Sequence, residues 1–530
     1  MLGVKKRSKT FRDPVHGDIK VGPLQRAVID TDTFQRLRYI RQNGLLHYVF
    51  PGAVHTRFAH SIGTMHIAQR VFCQLFPAYR SGEKIDNRND SDLYCGYVGL
   101  VFETAALCHD IGHCAFSHSI ESLASEQTNS ISLFQTFETY IKDWREEFPA
   151  LGRWWDIHQA DATAFVAEKL KSGATKSNWL LEVKHEELGM LFVMVLMNNP
   201  AQPNIAETFH HLFGEDIKYE SFCQDVVALM RGESWLPYSS DFKNALEYLA
   251  KTVPKLTGPA KHPDHTMASS QLAEILHELI SGTLDVDRFD YLLRDSKFSG
   301  TVCGVFDLEL LINSLALRFL PANGHLVLCV LERAESTVDD FLWSRFQLYE
   351  QIISHKANVM LNALFPKVVG PLVGGAYVSI PREFSDFLSF TDDSIMSNVR
   401  KSLIAKVPNN TAKDSALRGA FLRTRLPRYL RRVSLAECKD EDQERELIAN
   451  TKSKLSAELG NIAVANISHT VSGTELIKQT APLPRVIRRS HLPGSENTIE
   501  RLEPGYFKSL HRGPTFSAKT AHFFTEPEGS

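Results

Sequence analysis

The amino-acid sequence predicts a mainly α-helical fold around one large core, with a small β-hairpin and a C-terminal α-rich extension. Three observations predict it. From Val98 to Cys108 apolar side chains recur at three- and four-residue intervals over a broad face, as a buried helix requires. Between Leu315 and Leu331 two apolar or alternating runs flank Asn323-Gly324, a pair that tolerates the positive φ angles of a tight turn. From Leu426 to Leu459 a charged stretch has helical texture, ahead of a segment rich in Pro, Gly, Ser and Arg after Pro482.

At 530 residues, 43% of them hydrophobic, the chain exceeds one compact domain, so a large core with attached lobes is expected. Residues 1–375 are expected to form that core and 376–530 a C-terminal lobe and tail, lying over the surface or mediating subunit contacts. Two polar stretches, near 80–92 and 125–178, read as surface insertions carrying some helix. A net charge of -3, from 59 basic and 62 acidic residues, removes any global argument for binding nucleic acid or membrane. The basic clusters at Arg423–Arg432 and Arg485–Arg489 read as solvated faces or tail contacts, so nucleic acid is not an expected partner. Eight cysteines are scattered without a CxxC pair, the pattern of reduced thiols. No charged stretch followed by an apolar run opens the chain, and none of about 18 apolar residues could span a bilayer, so a cytoplasmic location is expected.

The densest chemistry lies in Leu107-Cys108-His109-Asp110-Ile111-Gly112-His113-Cys114-Ala115-Phe116-Ser117-His118. Neutral imidazoles and a carboxylate are ligands for a divalent ion, whereas on a structural apolar helix each would need a hydrogen-bond partner. If this segment is helical, His109 and His113 share a face and Gly112 leaves room for a ligand. A His-Asp pair alone occurs by chance in many proteins, but the context strengthens this one. Arg57-Phe58-Ala59-His60 places a cation and an imidazole three apart, and Leu284-Asp285-Val286-Asp287-Arg288-Phe289-Asp290-Tyr291 supplies carboxylates downstream. Asp287, Tyr291 and Asp295 are spaced by four, so one helix face can present all three.

Taken together, these strings resemble the HD-domain deoxynucleotide triphosphohydrolases, especially the branch that couples a sterile-alpha-motif domain to the HD domain. The resemblance runs from Arg12-Asp13-Pro14-Val15-His16-Gly17 through FQRLRYIRQ and VFPGAVHTRFAHSIG to HDIGHCAFSH, Lys184-His185-Glu186, DVDRFDYLLRD and the Arg345 segment. It covers roughly the first 370 residues with gaps, and no sterile-alpha-motif domain is expected ahead of it. The resemblance implies an HD helical fold with a divalent ion, Mg, Mn, Fe or Zn, on His60, His109, Asp110 and Asp287. It implies a catalytic cluster of His113, His118, Glu121, His185 and Glu186. It implies triphosphate or sugar contacts from Arg57, Arg288, Tyr291, Asp295 and Arg345, with Gln42 sensing the sugar 3′-hydroxyl. Arginine suits that task because its planar fork donates two parallel hydrogen bonds to phosphate oxygens.

The implied reaction is attack of water on the α-phosphorus of a deoxynucleoside triphosphate, releasing deoxynucleoside and inorganic triphosphate. A histidine supplies the proton to the poor alkoxide leaving group; His118 is favoured, with His113 as its competitor. Lys9, Asp30, Gln35 and Arg38 match residues that form a guanine-nucleotide activator pocket at subunit contacts in a dimer or tetramer. Two departures accompany this match, since Arg12 replaces an asparagine and Leu331 an arginine of the family pattern. About 66 residues separate His118 from His185, a long insertion that bears on substrate choice. Other readings stay open: an HD phosphohydrolase acting on another nucleotide, or a nucleotide-sensing regulator without turnover. Control of a nucleotide pool, including antiviral defence, fits the chemistry.

Overall fold

The computed structural model describes residues 9–79, 90–117, 119–120, 137–149, 151–157, 185–198, 205–232, 236–253, 265–320, 323–369, 381–405, 429–434, 438, 441–459, 462–470, 485–488, 498–501 and 517–525. Helices dominate them, as the apolar periodicity predicts. Arg57–Leu75 buries Phe58, Ile62, Met65, Val71 and Phe72 and packs against both Asp90–Cys108 and Val286–Ser299. His185–Asn198 is apolar nearly all round, and every residue from Glu187 to Met197 is buried, the pattern of a helix inside the core. Its buried Glu187 accepts a hydrogen bond from Arg231 at 3.0 Å. Val286–Ser299 starts where the Asp285 carboxylate accepts from the Arg288 N–H at 2.7 Å. It stops at Gly300, whose φ of 73° is the left-handed conformation that ends many helices.

A two-stranded sheet near the start pairs β1 (Lys9–Asp13) with β2 (Gly17–Val21). The expected hairpin is present as β3 (Leu315–Phe319) and β4 (Leu326–Leu331), with Gly324 at φ 72° in the connection. The C-terminal extension contains the helices Phe384–Ser389, Asp392–Ala405 and Glu441–Leu459. It also supplies five strands that the sequence pattern did not reveal. β5 (Tyr429–Ser434), β6 (Ile462–Thr470) and β9 (Ser517–Thr525) form a sheet in the order β5-β9-β6, while β7 (Arg485–Arg488) and β8 (Thr498–Arg501) add to the hairpin in the order β3-β4-β7-β8. β7 and β8, four residues each, are too short for a two-residue period to register, and the pairing of all five is set by distant segments.

One hydrophobic cluster runs from Ile19 to Val399, so the start of the extension belongs to the same core. The second predicted insertion is not confined to the surface. Its helix Phe137–Trp144 fully buries Tyr140 and Trp144, and the Trp144 ring stands edge-on to Phe384 and Phe387 at 5.5 and 5.8 Å. Residues 80–89 and most of 125–178 lie outside the described residues. All eight cysteines are free thiols, as expected. No helix among the described residues is long and apolar enough to cross a membrane.

Candidate active site

Three helices deliver the four predicted ligands to one point. His60 lies in the first turn of Arg57–Leu75, His109 and Asp110 directly follow Asp90–Cys108, and Asp287 is the second residue of Val286–Ser299. The His60 Nε2 is 3.3 Å from the His109 Nε2, 2.9 Å from the Asp287 Oδ1 and 3.5 Å from the Asp110 Oδ2. The His109 Nε2 lies 3.5 Å from Asp287 and 3.6 Å from Asp110. Ligand atoms about 2.1 Å from one ion are roughly 3.0 to 3.4 Å apart in octahedral or tetrahedral geometry, close to these separations. The far nitrogens are occupied: the His60 Nδ1 donates to Asp290 at 2.7 Å and the His109 Nδ1 to the Ala106 carbonyl at 2.8 Å. This leaves both Nε2 atoms facing the centre, the arrangement of metal-binding histidines.

The electrostatics ask for positive charge at that centre. Burial pushes the His60 imidazolium down, but Asp287 and Asp290 outweigh it and carry it up to about 10. His109 is also raised, Asp110 and Asp287 outweighing its burial. Burial would raise the Asp110 carboxyl, but Arg57, His109 and His113 hold it well below the usual carboxylate range. A divalent cation fits this donor set in charge as well as in spacing.

The expectation that His109 and His113 share a helical face does not hold. The helix ends at Cys108 and turns follow. Gly112 does not make room for a ligand either. A Cβ there would meet the His185 carbonyl oxygen at 1.9 Å and the Gly189 nitrogen at 2.2 Å, so two backbones cross at this glycine. That crossing stacks the His113 ring on His185, with centroids 3.7 Å apart and planes 14° apart. The His113 Nε2 is 3.3 Å from Asp110, and burial, Arg57 and His185 hold its imidazolium well below the ordinary range. His185 Nδ1 lies 3.4 Å from Glu186. His118 and Glu121 lie outside the described residues.

Arg57 is buried against the ligand cluster: Nη1 donates to Asp110, Nε to the Ser117 hydroxyl at 2.9 Å, and Nη2 to the Gln42 carbonyl at 3.3 Å. Arg288 donates to Asp285 at 2.5 Å. Burial first, and then Tyr349, raise the Tyr291 phenol far above its ordinary range, while Arg345 and Arg288 oppose them, which places these four side chains in one field. The buried Arg345 Nε and the Gln42 Oε1 have no hydrogen-bond partner among the described residues. Asp295 is almost fully buried, with its carboxylate on the His55 Nε2 at 2.7 Å.

No protein-family model matches the chain. Curated relatives do. The deoxynucleoside triphosphate triphosphohydrolase SAMHD1 of Xenopus laevis is 45% identical over 392 residues, 72% of this chain and 50% of that protein. The human protein of the same name is 43% identical over 360 residues, 67% of this chain and 43% of its own length. The chain belongs to the HD-domain deoxynucleotide triphosphohydrolase family. It spans about half the length of the curated relatives it matches. The crystal structure of a hypothetical protein from Aquifex aeolicus aligns with a TM-score of 0.55 over 98% of this chain and 97% of that one, at 20% identity, a likeness of fold alone.

The candidate activator residues of this HD-domain protein gather in one place. The Lys9 ammonium is 3.8 Å from Asp30 and 4.7 Å above the Phe11 ring. Arg38 donates to Gln35 at 2.7 Å and lies 3.5 Å over Phe58, the neighbour of Arg57. Arg12 pairs outward with Asp18 at 2.9 Å.

Residue spacing missed the shell behind the ligands. Asp290 is fully buried and accepts from His60, from Arg294 at 2.7 and 2.9 Å, and from His16 at 2.6 Å, while Arg294 also donates to Asp13 at 2.8 Å. Gly63 makes space for it, since a Cβ there would be 2.0 Å from the Asp290 carboxylate. Buried Arg36 donates to the carbonyls of His113 and Ile111 at 2.9 and 2.5 Å, holding the ligand turn from below. Asp13, His16, Arg36 and Asp290 all sat inside the recognised strings.

Proposed function

We propose that this chain hydrolyses deoxynucleoside triphosphates to deoxynucleoside and inorganic triphosphate, with a divalent ion on His60, His109, Asp110 and Asp287. The observation that carries the reading is the joining of a four-ligand centre to buried Arg57 on Asp110, beside Arg288, Tyr291 and Arg345. The relatives named as deoxynucleoside triphosphate triphosphohydrolases support it. When bound, the ion supplies Lewis acidity toward a phosphate oxygen and acidifies a water. Arg57, Arg288 and Arg345 offset charge on the phosphate oxygens, with the Arg345 Nε available to donate. Tyr291 remains a neutral phenol and packs against the sugar, and Gln42 tests its 3′-hydroxyl with the unfilled Oε1. Asp295 acts with the His55 it holds. His113 stays neutral in its stack on His185, which favours His118 over His113 as donor of the leaving-group proton.

Guanine-nucleotide activation at Lys9, Asp30, Gln35 and Arg38, and assembly as a dimer or tetramer, belong to the same proposal. Arg38 on Phe58 supports it by placing that patch one residue from Arg57. A role in nucleotide-pool control, including antiviral defence, would follow from the activity. The test incubates metal-loaded protein with all ribo- and deoxyribonucleoside triphosphates, singly and mixed, and identifies products. Inorganic triphosphate with deoxynucleoside supports the proposal, and release of phosphate or pyrophosphate instead points to another HD phosphohydrolase.

A further inference from the structure

We propose that Asp392 is a positioning residue of this site, tying the Phe116–Ser117 turn to Arg41 and through Ser117 setting Arg57 against Asp110. The inference rests on reading the site as a phosphohydrolase centre. Asp392 begins the helix Asp392–Ala405, outside every motif of the ligand cluster, and is fully buried. A carboxylate so deep needs partners, and the ones it has are far away in sequence. One oxygen accepts from the Phe116 N–H at 2.7 Å, and the other accepts from the Arg41 N–H at 3.1 Å with the Arg41 guanidinium at 3.5 Å. A carboxylate that served only to start its own helix would spend those oxygens on that helix's N–H groups.

The turn it grips is one that side chains seldom adopt. Phe116 and Ser117 have φ of 58° and 50°, the left-handed region that glycine enters freely and other residues rarely do. Such a conformation persists where its surroundings hold it. Here Asp392 holds the Phe116 N–H, the Phe116 ring packs on Phe365 at 4.9 Å, and the Ser117 hydroxyl donates to the Arg41 carbonyl at 3.3 Å. The same hydroxyl accepts from the Arg57 Nε at 2.9 Å. Arg57 is the first residue of its helix, where the backbone dipole repels a cation and no acidic side chain sits in the first turn. Its aim therefore depends on Ser117, Asp110 and the Gln42 carbonyl.

The experiment compares metal-loaded wild-type protein with Asp392→Ala and Asp392→Asn by hydrogen-exchange mass spectrometry and by triphosphate release per bound metal. In Asp392→Ala, exchange across residues 109–117 should rise by about tenfold or more while Tyr219–Arg231 keeps its protection. Its kcat should fall by about 10- to 100-fold with a smaller change in KM, the cost of a misplaced charged group. Asp392→Asn keeps an oxygen for the Phe116 N–H, so its turn should stay protected and its rate fall less. Unchanged exchange over 109–117 overturns the proposal, as does an opened turn with kcat within about twofold of wild type. Should Asp392→Ala not fold, the Asn variant decides: exchange and rate both equal to wild type overturn the role assigned to the Arg41 arm. If wild-type protein releases triphosphate from no nucleotide, the phosphohydrolase reading falls, and exchange still decides whether Asp392 holds the turn.

Discussion

Asp290→Asn is the most discriminating perturbation of the candidate metal centre, because Asp290 is not among the proposed ligands and yet faces four donors. Its two oxygens accept from the His60 Nδ1, the His16 Nε2 and two nitrogens of Arg294, at 2.6 to 2.9 Å. Asparagine keeps the shape but turns one oxygen into an NH₂ group, so at least one of these contacts becomes donor against donor. Arg294 keeps Asp13 at 2.8 Å but loses half of its compensation inside the core. Breaking a buried ion pair from one side costs about 3 to 5 kcal/mol. His60 loses the partner that fixes its ring and raises its basicity, and removing the hydrogen-bond partner of a ligating imidazole weakens metal affinity by about 10- to 100-fold, or roughly 1.4 to 2.7 kcal/mol. The assay is calorimetric titration of Mn²⁺ into metal-free wild-type and variant protein, beside denaturant unfolding of the same samples. Equal metal affinity in the two proteins would refute the argument that Asp290 orients His60, even if the variant is less stable.

Asp110→Ala should abolish triphosphate release even after metal repletion, since it removes a ligand and the partner of Arg57 together; retained activity would defeat the assigned site. Gln42→Ala should mainly reduce discrimination between deoxyribo- and ribonucleotides, by on the order of tenfold in the ratio of kcat/KM values, through loss of one polar contact to the sugar. Gly112→Ala should cost about 1 to 3 kcal/mol or more, because the new methyl lands on the backbone of His185–Asn198; an unchanged unfolding midpoint would contradict the crossing. For pH, His60 is raised in the folded metal-free protein to about 10 from an unfolded value of about 6.5. Its contribution to stability is fully present below about 6.5 and is lost as pH rises through about 10, so the denaturation midpoint of metal-free protein should fall over that window. Saturating divalent ion should suppress the fall, and a midpoint that climbs instead would refute the charge balance drawn around His60.

Much of the candidate centre is legible in the sequence. The side chains of His60, His109, Asp110 and Asp287 lie beside one another, and the hairpin at Asn323-Gly324 forms where turn chemistry placed it. These features are local: a ligand is a residue type, and a tight turn is a dipeptide with an allowed φ. The errors came where backbone packing overrode local pattern. If helical, the run through His109 and His113 would place both on one face, but Gly112 lies on Gly189, far away in sequence, and the helix ends first. The tail strands β7 and β8 exist because β4 has an open edge.

The sequence by itself determined the donors of the candidate metal centre and the apolar pattern that buries them, because both are properties of residue type and spacing. Only the tertiary structure decided what stands behind those donors: Asp290 on His60, Arg36 under the ligand turn, and Asp392 on Phe116. Each is a charged group buried by residues distant in the chain, and its role exists only once folding removes water and leaves its partners as its solvent.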